Sequence, residues 1–201
     1  SLYRRYMIEL TQKEIYSLQQ TEKSILQHFI QVCEKLQLTY YIVAGTLLGA
    51  VRHQGFIPWD DDIDVAMPRQ DYEVLLSHGQ KYLPENLFLQ TRKTDPDFPA
   101  NFCKLRNSNT TFIEASIANH NINHGVYIDI FPLDFYPSKN KHLYNIYFKL
   151  QSIRITDAFA SSSGMKKITR FVRFFTRFMY PTVTDALNAR EILVTDVPPS
   201  Q

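Results

Sequence analysis

Cysteine, glycine and tryptophan are all scarce in this 201-residue chain, with 2, 6 and 1 copies. The two cysteines, Cys33 and Cys103, form no CxxC or Cys/His pattern, which argues against a structural zinc site. They read as two reduced, buried thiols of a cytosolic protein. No stretch approaches the ~18 uninterrupted apolar residues of a membrane span. The first ten residues lack the apolar centre of a signal peptide. No glycine-rich dinucleotide fingerprint, P-loop or solenoid repeat is present. Neither sign of charge dominates, since 22 Lys and Arg face 20 Asp and Glu for a formal net charge of +2. That balance gives no global drive toward nucleic acid, and no nucleic-acid partner is expected.

What is present is ordinary globular composition, 44% hydrophobic and 21% charged. Residues 14–36 carry Ile15, Leu18, Ile25, Phe29, Val32 and Leu36 at three- and four-residue spacing, the pattern of an amphipathic helix. Residues 40–43 read as a strand, 46–52 as a short helix, and 53–58 as a loop punctuated by Gly55 and Pro58. A strand over 63–67 ends at Pro68 and leads into a helix over 69–82. Further on, 87–90 reads as a strand. Residues 102–106 and 111–114 read as a hairpin around Asn107-Ser108-Asn109, and 126–131 as a strand stopped by Pro132. Short strands with flanking helices mean an α/β or α+β core. From residue 139 the period is helical, with a break at residues 161–164, and the irregular ending reads as a tail or a truncation. Two regions are therefore expected: a core over 1–137 and a helical extension over 138–201, itself incomplete.

The chemistry gathers around Asp60-Asp61-Asp62-Ile63-Asp64. Adjacent like charges repel unless something neutralises them. On a strand, Asp62 and Asp64 project from one face with Cα atoms about 6.6 Å apart, while Ile63 and Val65 point into a core. Two convergent carboxylates suit a hard divalent cation such as Mg²⁺, which completes its shell with waters and phosphate oxygens. Sixteen residues before Asp62, Gly45-Thr46 stands between strand and helix, where backbone can approach a phosphate. Asp129 interrupts an otherwise apolar run, and an unpartnered buried aspartate is costly. It reads either as an exposed edge-strand residue or as a third acid joining Asp62 and Asp64 around one or two cations. His120 and His124 lie four apart, but the asparagines around them indicate a loop rather than a zinc-binding helix.

Residues 45–64, Gly-Thr-Leu-Leu-Gly-Ala-Val-Arg-His-Gln-Gly-Phe-Ile-Pro-Trp-Asp-Asp-Asp-Ile-Asp, resemble the signature of the LicD family of phosphocholine transferases. Lys104-Leu105-Arg106 with Thr110-Thr111 resembles that family's second block, and Gly125 through Asp134 its third; the likeness spans roughly residues 22–136. The resemblance implies a nucleotidyltransferase-type fold, a small mixed sheet flanked by helices, shared with fukutin-like glycan-modifying enzymes. It maps the Gly-Thr element to Gly45 and Thr46 and the metal-binding, catalytic acids to Asp62, Asp64 and Asp129. Asp129 either completes the metal site or takes a proton from the acceptor. Mg²⁺ is the expected cofactor, with Mn²⁺ as the alternative. The implied reaction moves phosphocholine from CDP-choline to a sugar hydroxyl of teichoic acid, lipopolysaccharide or capsule. Another CDP-alcohol such as CDP-ribitol, a nucleotidyl transfer, or a non-catalytic envelope scaffold stand as alternatives.

Within this frame Arg52, His53, Lys104 and Arg106 are candidate substrate-binding residues; for Lys104 and Arg106 a solvated strand face is an equal alternative. Asp60 and Asp61 are expected to orient the metal ligands. Trp59 is expected to be a packing anchor. The family's C-terminal aromatic–glycine block is not found. Lys166, Arg170, Arg173 and Arg177 recur at helical spacing opposite Phe171, Val172, Phe175, Phe178 and Met179. That segment reads either as an interfacial helix drawn to anionic lipid or as a core-packed helix with a basic face. The expected location is cytoplasmic, peripheral on the inner face of the plasma membrane, with a glycan acceptor that is lipid-linked or free.

Overall fold

The computed structural model describes residues 10–134. They form helices α1 (Gln12–Leu36), α2 (Ala44–His53) and α3 (Arg69–His78) and strands β1 (Tyr41–Ile42), β2 (Asp64–Pro68), β3 (Leu87–Gln90), β4 (Cys103–Asn107) and β5 (Val126–Leu133). The chain divides into two units, Ser1–Leu133 and Asp134–Gln201, and all these elements lie in the first. The expected helical extension over 138–201 and its basic segment lie outside the described residues.

The strands make one mixed sheet in the order β1-β2-β5-β4-β3. The central pair β2–β5 is parallel; the other three pairings are antiparallel. Alternation along the strands gives the sheet two unlike faces. Ile63, Val65, Met67, Leu87, Leu89, Cys103, Leu105, Ile128 and Ile130 share one core with Leu18, Ile25, Phe29 and Val32 of α1 and Tyr72 and Leu75 of α3. The other face carries a polar row across the sheet. Asp64 on β2 pairs in register with Asp129 on β5, Asp129 with Lys104 on β4, and Lys104 with Gln90 on β3. The α/β sheet flanked by helices is therefore as expected from the sequence.

Helix α1 starts with a reciprocal capping box. Glu14 N–H donates to Thr11 Oγ1 (3.3 Å), and Thr11 N–H donates to Glu14 Oε2 (2.8 Å). It ends at Gln37, whose φ of 56° turns the chain through the left-handed region. Both cysteines are free and buried, and burial raises both thiol pKa values, as expected of inert core thiols.

Four local expectations need correction. Helix α2 begins at Ala44, not at residue 46, because Ala44 itself takes φ 47° and turns the chain sharply out of β1. Helix α3 stops at His78, and a 3₁₀ turn at Gln80–Tyr82 follows. That break releases Gln80 to bond the exposed edge of β3: its Nε2 donates to Leu87 O and its Oε1 accepts from Leu89 N–H, both at 2.8 Å. Residues 111–114 form no strand, because β4 already has β3 on one side and β5 on the other and offers no free edge. Strand β5 runs through Pro132, which pairs with Met67. The β4 ladder ends at the Cys103–Ile130 pair, so beyond it β5 has an open side where a missing N–H costs no ladder bond.

Candidate active site

The acid turn is tied down from two directions. From α1, Gln12 Nε2 donates to Pro58 O (3.0 Å), and Gln19 Nε2 donates to Ile57 O (3.3 Å) and Asp60 O (2.9 Å). From α2, Thr46 Oγ1 accepts the N–H of Asp64 (2.8 Å), while Val43 N–H donates to Asp64 O (3.1 Å). Thr46 thus anchors the first residue of β2 rather than capping its own helix. Gly45 lies against the acids: a Cβ there would stand 2.6 Å from Asp60 Oδ2. A side chain there would push the Asp60 carboxylate aside.

Asp60, Asp61 and Asp62 each offer an oxygen, and these oxygens lie within 4.8 Å of one another. Asp64 and Asp129 are register partners on adjacent parallel strands, so their side chains leave the same face of the sheet. The backbone joins them as well, Asp129 N–H donating to Ile63 O at 2.8 Å. The segments around 62 and 129 therefore meet. The tight trio consists of Asp60, Asp61 and Asp62, however, rather than of Asp62, Asp64 and Asp129.

The electrostatics match that crowding. Burial, then the neighbouring Asp64, Asp60, Asp61 and Asp129, raise Asp62 to about 6. Burial and Asp60 raise Asp64, with Lys104 opposing. Burial raises Asp129 to about 6 against the pull of Lys104. A carboxylate that sequence reasoning missed joins them: Glu22 of α1, only 1% exposed. Burial raises it to about 8, followed by the charges of Asp62, Asp61, Asp60 and Asp129. Periodicity places Glu22 beside core positions Leu18 and Ile25, and an acid interrupting a buried stripe was the available signal. An all-oxygen donor set with excess negative charge fits a hard divalent cation.

The candidate cations behave differently from one another. Lys104 is buried, not on a solvated face: its Nζ lies 2.8 Å from Asp129 Oδ1, 3.4 Å from Glu114 Oε1 and 3.3 Å from the centroid of the Tyr127 ring. Arg106 is fully buried. Its Nε donates to Gln90 Oε1, its Nη1 to Gly125 O (2.7 Å) and its Nη2 to Glu114 Oε2 (3.3 Å). The structure gives Arg106 a framework role, joining β3, β4 and the start of β5, in place of the expected substrate contact. Arg52 and His53, in the last turn of α2, are exposed. Trp59 is 72% exposed and edge-on to His53, with centroids 6.5 Å apart. It is not the packing anchor expected, because the turn that presents the acids also carries its side chain outward.

Arg106→Met is expected to lower unfolding free energy by about 3–5 kcal/mol, the scale of leaving a buried partner uncompensated. Urea denaturation measures it, and an unchanged midpoint would contradict the framework role. A second expectation concerns pH. With a chelator present, Glu22 stays protonated in the folded chain up to about 8 but ionises near 4.5 when unfolded. Its contribution to stability is thus fully present below 4.5 and is lost as pH rises to 8. Asp62 and Asp129 act in the same direction up to about 6. The melting temperature should fall between pH 5 and pH 8, and Glu22→Gln should flatten the fall.

Residues 37–162 match the family described as LicD/FKTN/FKRP, nucleotidyltransferase domain. The chain is 31% identical over 133 residues to the lipopolysaccharide cholinephosphotransferase LicD of Haemophilus influenzae, covering 66% of this chain and 49% of that protein. It is 34% identical over 130 residues to the uncharacterized protein RP689 of Rickettsia prowazekii, covering 62% of this chain and 45% of the relative. The chain spans about half the length of these two curated relatives. The family match runs from before β1 to beyond β5 and so contains the whole sheet, the acid turn and Asp129. On that match, the chain belongs to the LicD/FKTN/FKRP nucleotidyltransferase-domain family.

Proposed function

We propose that this protein transfers phosphocholine from CDP-choline to a sugar hydroxyl of a cell-surface glycan such as lipopolysaccharide, with Mg²⁺ as cofactor. The observation that carries the reading is the convergence of Asp60, Asp61 and Asp62 with the Asp64–Asp129 pair at the start of α2. The name of the Haemophilus influenzae relative supplies the substrate class. In this reading Asp62 and Asp64 hold the cation, and Asp60 and Asp61 complete or orient its shell. Bound there, Mg²⁺ would supply charge neutralisation for the donor pyrophosphate.

The chain's own groups account for the rest. The first-turn amides of α2, at Ala44, Gly45 and Thr46, have no partner within the helix and suit a phosphate oxygen. Thr46 uses its oxygen as an acceptor from Asp64, which leaves its hydroxyl proton available to donate to the same phosphate. Arg52 and His53, exposed at the far end of α2, are offered to the nucleotide or the acceptor. The acceptor hydroxyl oxygen bonds to the phosphorus bearing choline as the bond to the bridging oxygen breaks and CMP leaves. Asp129 receives the hydroxyl proton. Burial pushes its pKa to about 6 while Lys104 restrains the rise, which suits a base working near neutrality. Lys104 stays paired with Asp129 and holds it in place, a positioning role rather than a substrate contact.

Among the described residues no helix is long and apolar enough to cross a membrane. A cytoplasmic location belongs to the same proposal.

The test is a donor panel of CDP-choline, CDP-ribitol and nucleoside triphosphates with Mg²⁺, read by released CMP or pyrophosphate in the presence of a lipopolysaccharide acceptor. CMP from CDP-choline is the expected result. Asp62→Asn and Asp64→Asn should each lower transfer by about 100-fold or more, the scale of removing one preorganised group from a site of developing charge. Their circular dichroism should match wild type. Turnover confined to CDP-ribitol would change the donor; pyrophosphate release from a triphosphate would replace the reaction; normal turnover in both variants would refute the site.

A further inference from the structure

Glu22 has no place in the chemistry above, yet it is a costly residue to keep where it lies. Its side chain sits in the middle of α1 at 1% exposure, and its Oε2 is buried without a hydrogen-bond partner. A buried carboxylate held for structural reasons is ordinarily met by a lysine, an arginine or a set of N–H donors. The charged groups facing Glu22 are all acids: Asp62 first, then Asp61, Asp60 and Asp129. One turn earlier on the same helix, Gln19 donates to the carbonyls of Ile57 and Asp60, so this face of α1 is tied to the acid turn itself. The unpartnered oxygen is therefore buried on a helix tied to the acid turn, and Asp62 is the charge that acts on it most. The oxygens within 4.8 Å of one another are those of Asp60, Asp61 and Asp62, all from the turn, whereas Glu22 comes from α1.

We propose that Glu22 belongs to the divalent-cation site, where its carboxylate accepts a hydrogen bond from a water in the cation's shell and adds its charge to that of the Asp60–Asp62 turn. This rests on the reading of that turn as a cation site and extends it to a residue on a different element. A Mg²⁺-sized ion keeps several of its waters, and those waters need acceptors. Outer acceptors of this kind fix the shell and raise affinity. The role explains why an acid interrupts the apolar stripe between Leu18 and Ile25, where any aliphatic residue would pack at less cost.

The experiment measures Mn²⁺ binding to the full chain by the electron paramagnetic resonance signal of the free ion, at pH 7.5, with no nucleotide or acceptor. The variants are Glu22→Gln, Glu22→Asp, Asp62→Asn and, as a packing control, Ile25→Val. Glu22→Gln should bind Mn²⁺ about 10–100-fold more weakly than wild type, the range for losing an outer-shell partner. Its melting temperature in chelator should equal or exceed that of wild type, because the wild-type carboxyl, protonated in the folded chain, gains free energy by ionising on unfolding and the amide does not. Glu22→Asp keeps the charge and should recover part of the affinity. Ile25→Val should lower the melting temperature and leave Mn²⁺ affinity unchanged. If wild type and both Glu22 variants bind equally while Asp62→Asn does not, the role of Glu22 is overturned and the cation site stands. If wild type itself binds no Mn²⁺, the cation reading is overturned and the role of Glu22 falls with it.

Discussion

Crowded negative charge is the constraint from which the rest of this structure follows. Six carboxylates, at Glu22, Asp60, Asp61, Asp62, Asp64 and Asp129, come from three separate chain segments to one end of the sheet. Lys104, paired with Asp129 at 2.8 Å, is the cation among the described residues that meets them directly. Burial removes the water that would otherwise screen the repulsion, so the acids are driven toward their protonated forms. A fold that keeps such a site gives up stability there and must recover it elsewhere.

The recovery is visible in the packing around the acids. The apolar face of the sheet is closed by α1 and α3 with Phe29, Ile128, Ile130 and Leu75 almost wholly buried. On the polar face the row Asp64–Asp129–Lys104–Gln90 is extended sideways by Glu114, Arg106 and the carbonyl of Gly125. Gln90 closes the far end on Asp95 Oδ2 and Asn123 O, at 2.8 and 3.0 Å. One end of that row is thus a satisfied network and the other an unsatisfied one. Rigidity at the first is what holds Asp129 opposite Asp64, and excess negative charge at the second is what a cation would relieve. The backbone around the acids is fastened by neutral groups, Gln12, Gln19 and Thr46, which hold the turn without cancelling its charge.

The sequence is most legible where one face of an element is apolar. The stripe from Leu18 to Val32 marks α1, and the alternation at 62–65 and 126–130 marks β2 and β5 with Asp64 and Asp129 on the polar face, although Asp62 itself precedes β2. It is least legible where a neighbour decides the outcome. Residues 111–114 have the look of a strand and lack a free edge to join. Pro132 reads as a stop and is tolerated because β4 has already ended beside it. Gly79 and Gln80 divide what reads as one helix, because Gln80 finds its partners on β3. Trp59 reads as core by its type and faces outward because the acid turn fixes the direction of the chain.

From the linear order of residues alone one could read the family, the two-faced sheet, and the acids at 62, 64 and 129 as the place where chemistry gathers. Those properties are local: they depend on spacing and side-chain type, and each segment carries them independently. The parallel register that sets Asp64 beside Asp129, the capture of Lys104 by Asp129, the enclosure of Arg106 and the burial of Glu22 on a helix tied to the acid turn came from the folded chain. Each is a relation between separate segments of the chain. Periodicity states which way a side chain points, and packing alone states what it meets.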